Sequence, residues 1–501
     1  MVARALGLLF AAARAAVPAD RVASLPGFDE ALPEMYSGYI QSALPGGGSA
    51  WTHYWLVFAP KATRVAVWQQ GGPGGSSLIG LLTENGPITL NDASFSTQAY
   101  AETGVPTVFE NPHSWHTTDT TMLYIEHPAP TGFSYCGRTG VDCALDDDSQ
   151  ADLAYANYVT FFTDMYPELA TLPLYFTGES YAGVLVPTLA LRLLDRRNET
   201  NRLTAPWNVA GFALGNDCPG NHVFTCTPYS GWAGTEVSVE FLYGHGMIPP
   251  AKKQEVDEAC GDWYVREPPG PQGPPPDECA RLLEDKVRPL KSIAGDTYDM
   301  GGGYFLYDSC GADLLHADDS GVLQARAAKV PTEFAETAGE YACGQENAAT
   351  LWLNLPAVQA ALHVRLVGKR EFALSTRLDY DFTMPSLLAA YNDTLVRELR
   401  ILQFSGDADP CVPYVGTARW IESLRMPVVK AWRPWTAPQT MAVTGYVTTY
   451  DTPGGGFTFA TVRDAGHMAS RQRAAAASIH RRSSCFTDRR RACLTDLRRP
   501  L

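Results

Sequence analysis

The chain has 501 residues, of which 45% are hydrophobic and 11% aromatic, with a formal net charge of −15. That composition builds a packed globular protein rather than a disordered or fibrous one, and the acidic balance argues against nucleic acid as a partner. No run of eighteen apolar residues occurs, so no membrane span is expected. None of the 11 cysteines forms a C-x-x-C pair, so no metal site is expected.

The start of the chain reads as an export leader. Arg4 precedes an apolar run from Ala5 to Ala13, and Val17-Pro-Ala19 offers small residues for cleavage before Asp20. Residues 1–19 are therefore assigned to a signal peptide. The close pairs Cys136/Cys143 and Cys218/Cys226 would clip local loops if oxidised, which favours an oxidising compartment. Asn198-Glu-Thr200 and Asn392-Asp-Thr394 are glycosylation sequons, usable only after export. Together these predict the secretory pathway, with a secreted or lysosomal/vacuolar destination.

Turn signals at Leu25-Pro-Gly27 and Pro45-Gly-Gly-Gly48 flank aromatic, strand-like runs such as Thr52-His-Tyr-Trp-Leu-Val-Phe58. Arg64-Val-Ala-Val-Trp-Gln69 alternates and predicts a strand. It runs into the glycine-rich Gly71-Gly-Pro-Gly-Gly-Ser-Ser77. Thr121–Ile125 is a short buried strand, and Gln150–Tyr166 has helical spacing. Leu174-Tyr-Phe176 is the next strand, followed by a sharp turn with Ser180 at its apex and a helix over Val184–Leu194. Val209–Leu214 is again a strand. Strands alternating with helices predict an α/β protein with a largely parallel sheet covered on both faces.

Between about Asn216 and Cys343 cysteines, prolines and glycines concentrate, and Glu267-Pro-Pro-Gly-Pro-Gln-Gly-Pro-Pro-Pro276 predicts an extended loop. This stretch reads as an insertion, partly helical, standing as a cap over the sheet. A helix over Ala348–His363 and strands over Arg400–Phe404 and Thr458–Val462 follow. The predicted organisation is thus core residues 20–215, insertion 216–343, core residues 344–473, and a tail over 474–501. From Arg471 onward the chain carries nine arginines, a sharp shift in so acidic a protein.

The turn Gly178-Glu-Ser-Tyr-Ala182 fits a nucleophile elbow, with Ala182 where the G-x-S-x-G pattern has its second glycine. Alone it is equally a strand–helix turn with a capping serine. A serine nucleophile needs a base, and the base needs an orienting group. Asp409 lies in a loop after the Arg400–Phe404 strand, and His467 in a loop after Thr458–Val462. The order Ser180, Asp409, His467 is that of the α/β-hydrolases. Read separately, Asp407 and Asp409 would make an Asx turn and His467 would be an ordinary loop histidine. The loop after Arg64–Gln69 follows its strand as an oxyanion loop does. It lacks the Lys-Ser/Thr ending of a phosphate-binding loop.

With these residues in place the chain resembles the serine carboxypeptidases of the carboxypeptidase Y / cathepsin A type. Matching blocks run from about Asp20 to Arg473. They include Ser24-Leu-Pro-Gly27, Tyr36-Ser-Gly-Tyr39, Trp68–Ser77, Glu84-Asn-Gly-Pro87, Asn111-Pro-His-Ser-Trp115, Gly132-Phe-Ser-Tyr135, Gly178–Gly183, Tyr243-Gly-His-Gly246, Gly406–Asp409 and Ala465–Met468. The resemblance implies an α/β-hydrolase fold and catalytic Ser180, Asp409 and His467, with Gly72 and Tyr181 supplying the oxyanion hole. It implies no cofactor and leaves room for a homodimer. It also implies a site for a peptide's C-terminal carboxylate made by Gln70, Gly71, Glu84 and Glu179. Two carboxyl groups binding a carboxylate must share a proton, which predicts tightest peptide binding at acidic pH.

The sequence departs from the family pattern at several points. Gln70 replaces the usual Asn, one methylene longer. Gly75 stands where a Cys often bridges to the position of Cys343, so that bridge is excluded. Leu185 replaces Tyr, a packing change. Ser470, Gln472 and Ala474 replace Pro, Asp and Pro. Three functions follow from the same residues: removal of C-terminal amino acids from peptides, acyl transfer to an alcohol with the same triad, or a non-catalytic protective or binding role.

Overall fold

The structure, a computed structural model, describes residues 17–45, 47–137, 143–195, 208–223, 234–265, 274–284, 304–307, 315–317, 323–325, 345–436 and 442–472. Residues 1–16 of the leader, Asn198, Cys226, Cys343, residues 267–273 of the proline-rich loop, much of the 216–343 insertion and all of 474–501 lie outside these.

One 11-stranded sheet organises the described residues. Its strands are β1 (Met35–Ala43), β2 (Ser49–Val57), β3 (Arg64–Gln69), β4 (Thr120–Ile125), β5 (Leu174–Glu179) and β6 (Val209–Gly215). After the insertion come β7 (Arg400–Gly406), β8 (Val428–Thr436), β9 (Val443–Tyr450) and β10 (Phe457–Val462). The spatial order is β1-β2-β4-β3-β5-β6-β7-β10-β9-β8, with the short segment Tyr135–Cys136 paired to β2. The strands from β4 through β10 in that order run parallel, and both flanks are antiparallel. This is the expected α/β-hydrolase architecture.

The parallel strands β3, β4, β5 and β10 are buried along their whole length, as strands covered on both faces must be. Alternation along β3 divides them between two cores. Val65 and Val67 join one cluster with Tyr158, Phe176, Leu189 and Trp420, whereas Ala66 and Trp68 join another with Leu81, Tyr124 and Trp352. Helix α1 (Asp147–Thr160) is capped by Asp146, whose carboxylate accepts from Ser149 N–H, and runs into one wider turn over Phe161–Met165. It begins three residues before the predicted Gln150. Helix α2 (Ala182–Asp195) follows the elbow.

Within the insertion, α3 (Thr235–Gly244), α4 (Pro250–Val265) and α5 (Asp277–Leu282) are helical as expected. Val239, Phe241, Ile248 and Val256 share a cluster with Cys260 and Cys279, which are joined by a disulfide. A second disulfide joins Cys136 and Cys143, and Cys218 is disulfide-bonded as well.

Two expectations need correction. The single helix over Ala348–His363 is two, α6 (Gln345–Leu353) and α7 (Pro356–Ala361). The residue before a proline is pushed out of the helical region, and Leu355 is extended, with ψ 128°. The sheet also holds two strands in addition to those predicted, the hairpin of β8 and β9, which precede the last strand in the chain and extend the sheet beyond it in space. Pro434 within β8 hides that strand from pattern reading, yet an edge strand tolerates proline.

Candidate active site

At the end of β5 the chain turns sharply. Ser180 adopts φ of 62°, a left-handed conformation that side-chain-bearing residues seldom hold. Three backbone hydrogen bonds hold it there. Ser180 N–H donates to Gly215 O at 3.0 Å, and its carbonyl accepts from Gly183 and Cys218 N–H at 3.0 and 3.1 Å. The small neighbours are needed for space. A Cβ on Gly178 would lie 2.2 Å from Gln69 O, and one on Gly183 would lie 2.6 Å from Cys218 N. Ser180 is half-buried, at the carboxyl end of a strand in the middle of the sheet.

β7 and β10 are hydrogen-bonded neighbours, so the loops leaving them emerge side by side. Asp409 Oδ2 and His467 Nδ1 are 2.7 Å apart, and both residues are buried. The Asp409 carboxylate is fixed by the N–H groups of Cys411 at 2.8 Å and Val412 at 3.1 Å. His467 N–H donates to Tyr304 O at 2.6 Å, and the Tyr304 ring stacks on the imidazole at 4.9 Å. A carboxylate at Nδ1 fixes the tautomer that leaves Nε2 unprotonated. Among the described residues no hydrogen bond joins Ser180 to His467; such contacts often tighten only with substrate bound. The turn contact is made by Asp409 itself, through Cys411 N–H two residues on, whereas Asp407 ties the two loops together by accepting from Asp464 N–H at 2.8 Å.

The glycine-rich loop lies directly on the elbow. A Cβ on Gly71 would stand 2.5 Å from Tyr181 N, 2.6 Å from Ser180 Cβ and 2.7 Å from Glu179 O. Gly72 follows with φ of 114° and a cis peptide to Pro73. The loop is tied down by Ser77, whose hydroxyl donates to Ile125 O at 2.6 Å and accepts from Gln70 N–H at 3.1 Å. Ser76 donates to buried Glu126, which also pairs with His53 at 2.8 Å. Tyr181 is held through its hydroxyl, which donates to Asp147 Oδ1 at 2.7 Å. The same carboxylate accepts from Tyr380 OH and from the N–H groups of Thr383 and Met384.

Gln70 and Glu179 come together beside the elbow. Gln70 Nε2 donates to Glu179 Oε1 at 2.6 Å, and its orientation is set by Trp68 Nε1 donating to Gln70 Oε1 at 2.9 Å. The longer side chain therefore meets the carboxyl group beside Ser180. Glu84, from the turn Gly80–Glu84, is buried as fully as Glu179. Burial pushes the Glu84 carboxyl up to about 7, against the lowering pull of Ser470, Arg471 and His467. Burial, and then the charge of Glu84, push Glu179 well above the ordinary carboxylate range, whereas Gln70 pulls it down. A buried carboxyl facing a second carboxyl is harder to ionise, so the pair favours holding a proton.

Sequence reasoning missed three parts of this arrangement. Trp68 orients the amide. Tyr304, from the insertion, packs on His467. Ser470 donates its hydroxyl to Glu84 Oε2. Of these, Trp68 left a signal as the first residue of the matching block Trp68–Ser77, and Ser470 as a departure from the family pattern. Leu185 packs with Tyr181 and Val184, consistent with a packing change.

Residues 26–484 match the protein-family model described as serine carboxypeptidase. Among curated proteins, serine carboxypeptidase-like 21 of Arabidopsis thaliana is 27% identical over 500 residues, covering 92% of this chain and 93% of its own length. Serine carboxypeptidase 1 of Hordeum vulgare is 29% identical over 499 residues, covering 92% of each. Among solved structures, that of Kex1(Δ)p, a prohormone-processing carboxypeptidase from Saccharomyces cerevisiae, superposes with a TM-score of 0.63 at 18% identity. It covers 92% of this chain and 95% of that one.

Proposed function

We propose, for a chain that belongs to the serine carboxypeptidase family, that it releases C-terminal amino acids from peptides through an acyl-enzyme on Ser180. The buried carboxyl pair Glu84 and Glu179, set beside the elbow, is the observation that carries this reading. Ser180 Oγ attacks the last peptide carbonyl. His467 Nε2 takes the serine proton and then gives it to the leaving amino acid. Asp409 holds the imidazole and stabilises its charged form. The backbone N–H groups of Gly72 and Tyr181 take the oxyanion. Water, activated by His467, then cleaves the ester.

Gln70, Gly71, Glu84 and Glu179 receive the substrate's free carboxylate. A carboxylate enters only while the pair holds its proton, so affinity is greatest below about pH 7 and falls as that proton leaves. Acyl transfer to an alcohol is the second reading. The bond between Gln70 and Glu179 favours it, because an amide already engaged has less to offer a peptide carboxylate. The disulfides Cys136–Cys143 and Cys260–Cys279 and the exposed sequon residue Asn392 support passage through the secretory pathway. No described helix is long and apolar enough to cross a membrane.

Blocked dipeptides with varied terminal residues, assayed from about pH 4 to 8, test the proposal. Amino-acid release that falls on the alkaline side and disappears in Ser180→Ala supports peptidase action. Release undiminished in Ser180→Ala overturns the mechanism, and a flat pH profile overturns the carboxyl clamp. Product formed from glucose esters without peptide hydrolysis selects acyl transfer.

A further inference from the structure

The turn bearing Glu84 is covered by two elements, the helix α6 and the short turn Ala469–Gln472 that follows His467. Ser470, itself buried, donates its hydroxyl to Glu84 Oε2. Glu84 Oε1 is buried and has no hydrogen-bond partner among the described residues. Arg471, also buried, lies next in the chain and pairs with Glu346 of α6 at 2.9 Å.

We propose that Ser470 is a positioning residue of the carboxylate clamp: its hydroxyl fixes one oxygen of Glu84, leaves the other for the shared proton or the substrate, and sets the pH at which the clamp opens. The inference rests on the peptidase reading above and deepens it. Every charged group facing the pair bears on the outcome. Asp409 opposes loss of the proton at Glu179, as Glu346 does at Glu84, whereas Arg471 favours it at both and His467 at Glu84. The Ser470 hydroxyl acts with the second set, because a donor stabilises the ionised carboxylate it touches. It differs from Arg471 and His467 in reaching Glu84 by a direct hydrogen bond.

The sign of the test follows. Removing the hydroxyl in Ser470→Ala lets Glu84 hold its proton to higher pH. The alkaline limb of kcat/KM then moves upward by about one pH unit. The change resides in KM, because Ser470 touches the clamp and not the triad. Above the wild-type limb, KM falls by up to about tenfold relative to wild type. Ser470→Thr keeps the donor and returns the limb toward its wild-type position.

A binding measurement separates the inference from the reading beneath it. In a Ser180→Ala background, calorimetry of a blocked dipeptide across the same pH range reports the clamp without turnover. A limb moved upward by Ser470→Ala in that background supports the proposal, even if the wild-type chain proves to be no peptidase. A limb present in the wild-type chain but unmoved by Ser470→Ala, with the variant folded by thermal melt, overturns it. So does a loss confined to kcat. Absence of any peptide binding in the Ser180→Ala protein overturns the carboxylate clamp itself and this inference with it.

Discussion

Replacing Gly71 with alanine tests whether the glycine-rich loop serves as half of an oxyanion hole. The added methyl carbon would sit 2.5 Å from Tyr181 N, 2.6 Å from Ser180 Cβ and 2.7 Å from Glu179 O. None of these is the far end of a flexible side chain, so no rotamer change relieves the contact. Non-bonded heavy atoms settle at about 3.5–4.0 Å, so the loop must retreat from the elbow by about 1 Å or more. A displacement of about that size costs roughly 10²-fold in rate, and losing one oxyanion donor costs about 10²–10³-fold. We therefore expect kcat for a blocked dipeptide to fall by at least about a hundredfold. Overpacking should also cost roughly 1–3 kcal/mol of stability. Gly244→Ala is the matched control, since a Cβ there meets nothing within 4 Å. Thermal melts establish that both variants are folded. A folded Gly71→Ala enzyme with kcat within about threefold of wild type would refute the assignment of this loop to the oxyanion.

Asp409→Asn keeps the size of the side chain but reverses what it offers to His467 Nδ1, so the imidazole settles in the wrong tautomer. We expect kcat to drop by about 10⁴ with KM little changed, and a loss under tenfold would remove Asp409 from the triad. Asp217, beside the elbow, is fully buried, and burial pushes its carboxyl up to about 8 from 3.8. A group whose pKa is raised by folding contributes stability in full only below its unfolded value, and that contribution is lost as pH rises toward the folded one. Asp217→Asn removes this loss and keeps an acceptor for the Gln403 amide, which can donate at 2.9 Å. The variant should melt higher than wild type at about pH 7, by an equivalent of up to a few kcal/mol, and equally at about pH 4. A melting difference that does not change with pH would contradict the assigned burial of charge.

What could be read from the sequence was local or repeated. The parallel strands are continuous apolar runs because both faces are covered, and the candidate catalytic residues follow them because such loops emerge at one edge of the sheet. β8 escaped because proline and charge at an edge strand erase its alternation. Helix α6 was extended through Pro356, although the proline itself marks the break. The contact between Ser470 and Glu84 spans 386 residues, and no periodicity encodes it. Gln70 was visible as a substitution, but whether the added methylene reached Glu179 or crowded the site depended on Trp68, two residues away in sequence and fixed only by the packing of β3.

The insertion between β6 and β7 has a consequence for how the polypeptide is made. β6 is a central strand, yet its neighbour β7 arrives only after the whole insertion, and Asn216 and Gly406, bonded at 2.9 Å, are 190 residues apart. Ribosomal synthesis proceeds from the N-terminus, so β6 must wait with one backbone edge unpaired while that length is added. An unpaired apolar strand edge is a template for joining another chain. The nascent protein therefore passes through a stage in which its greatest hazard is its own sister chains. Asp409 and His467, which would arm Ser180, reach the elbow only once that stage is over.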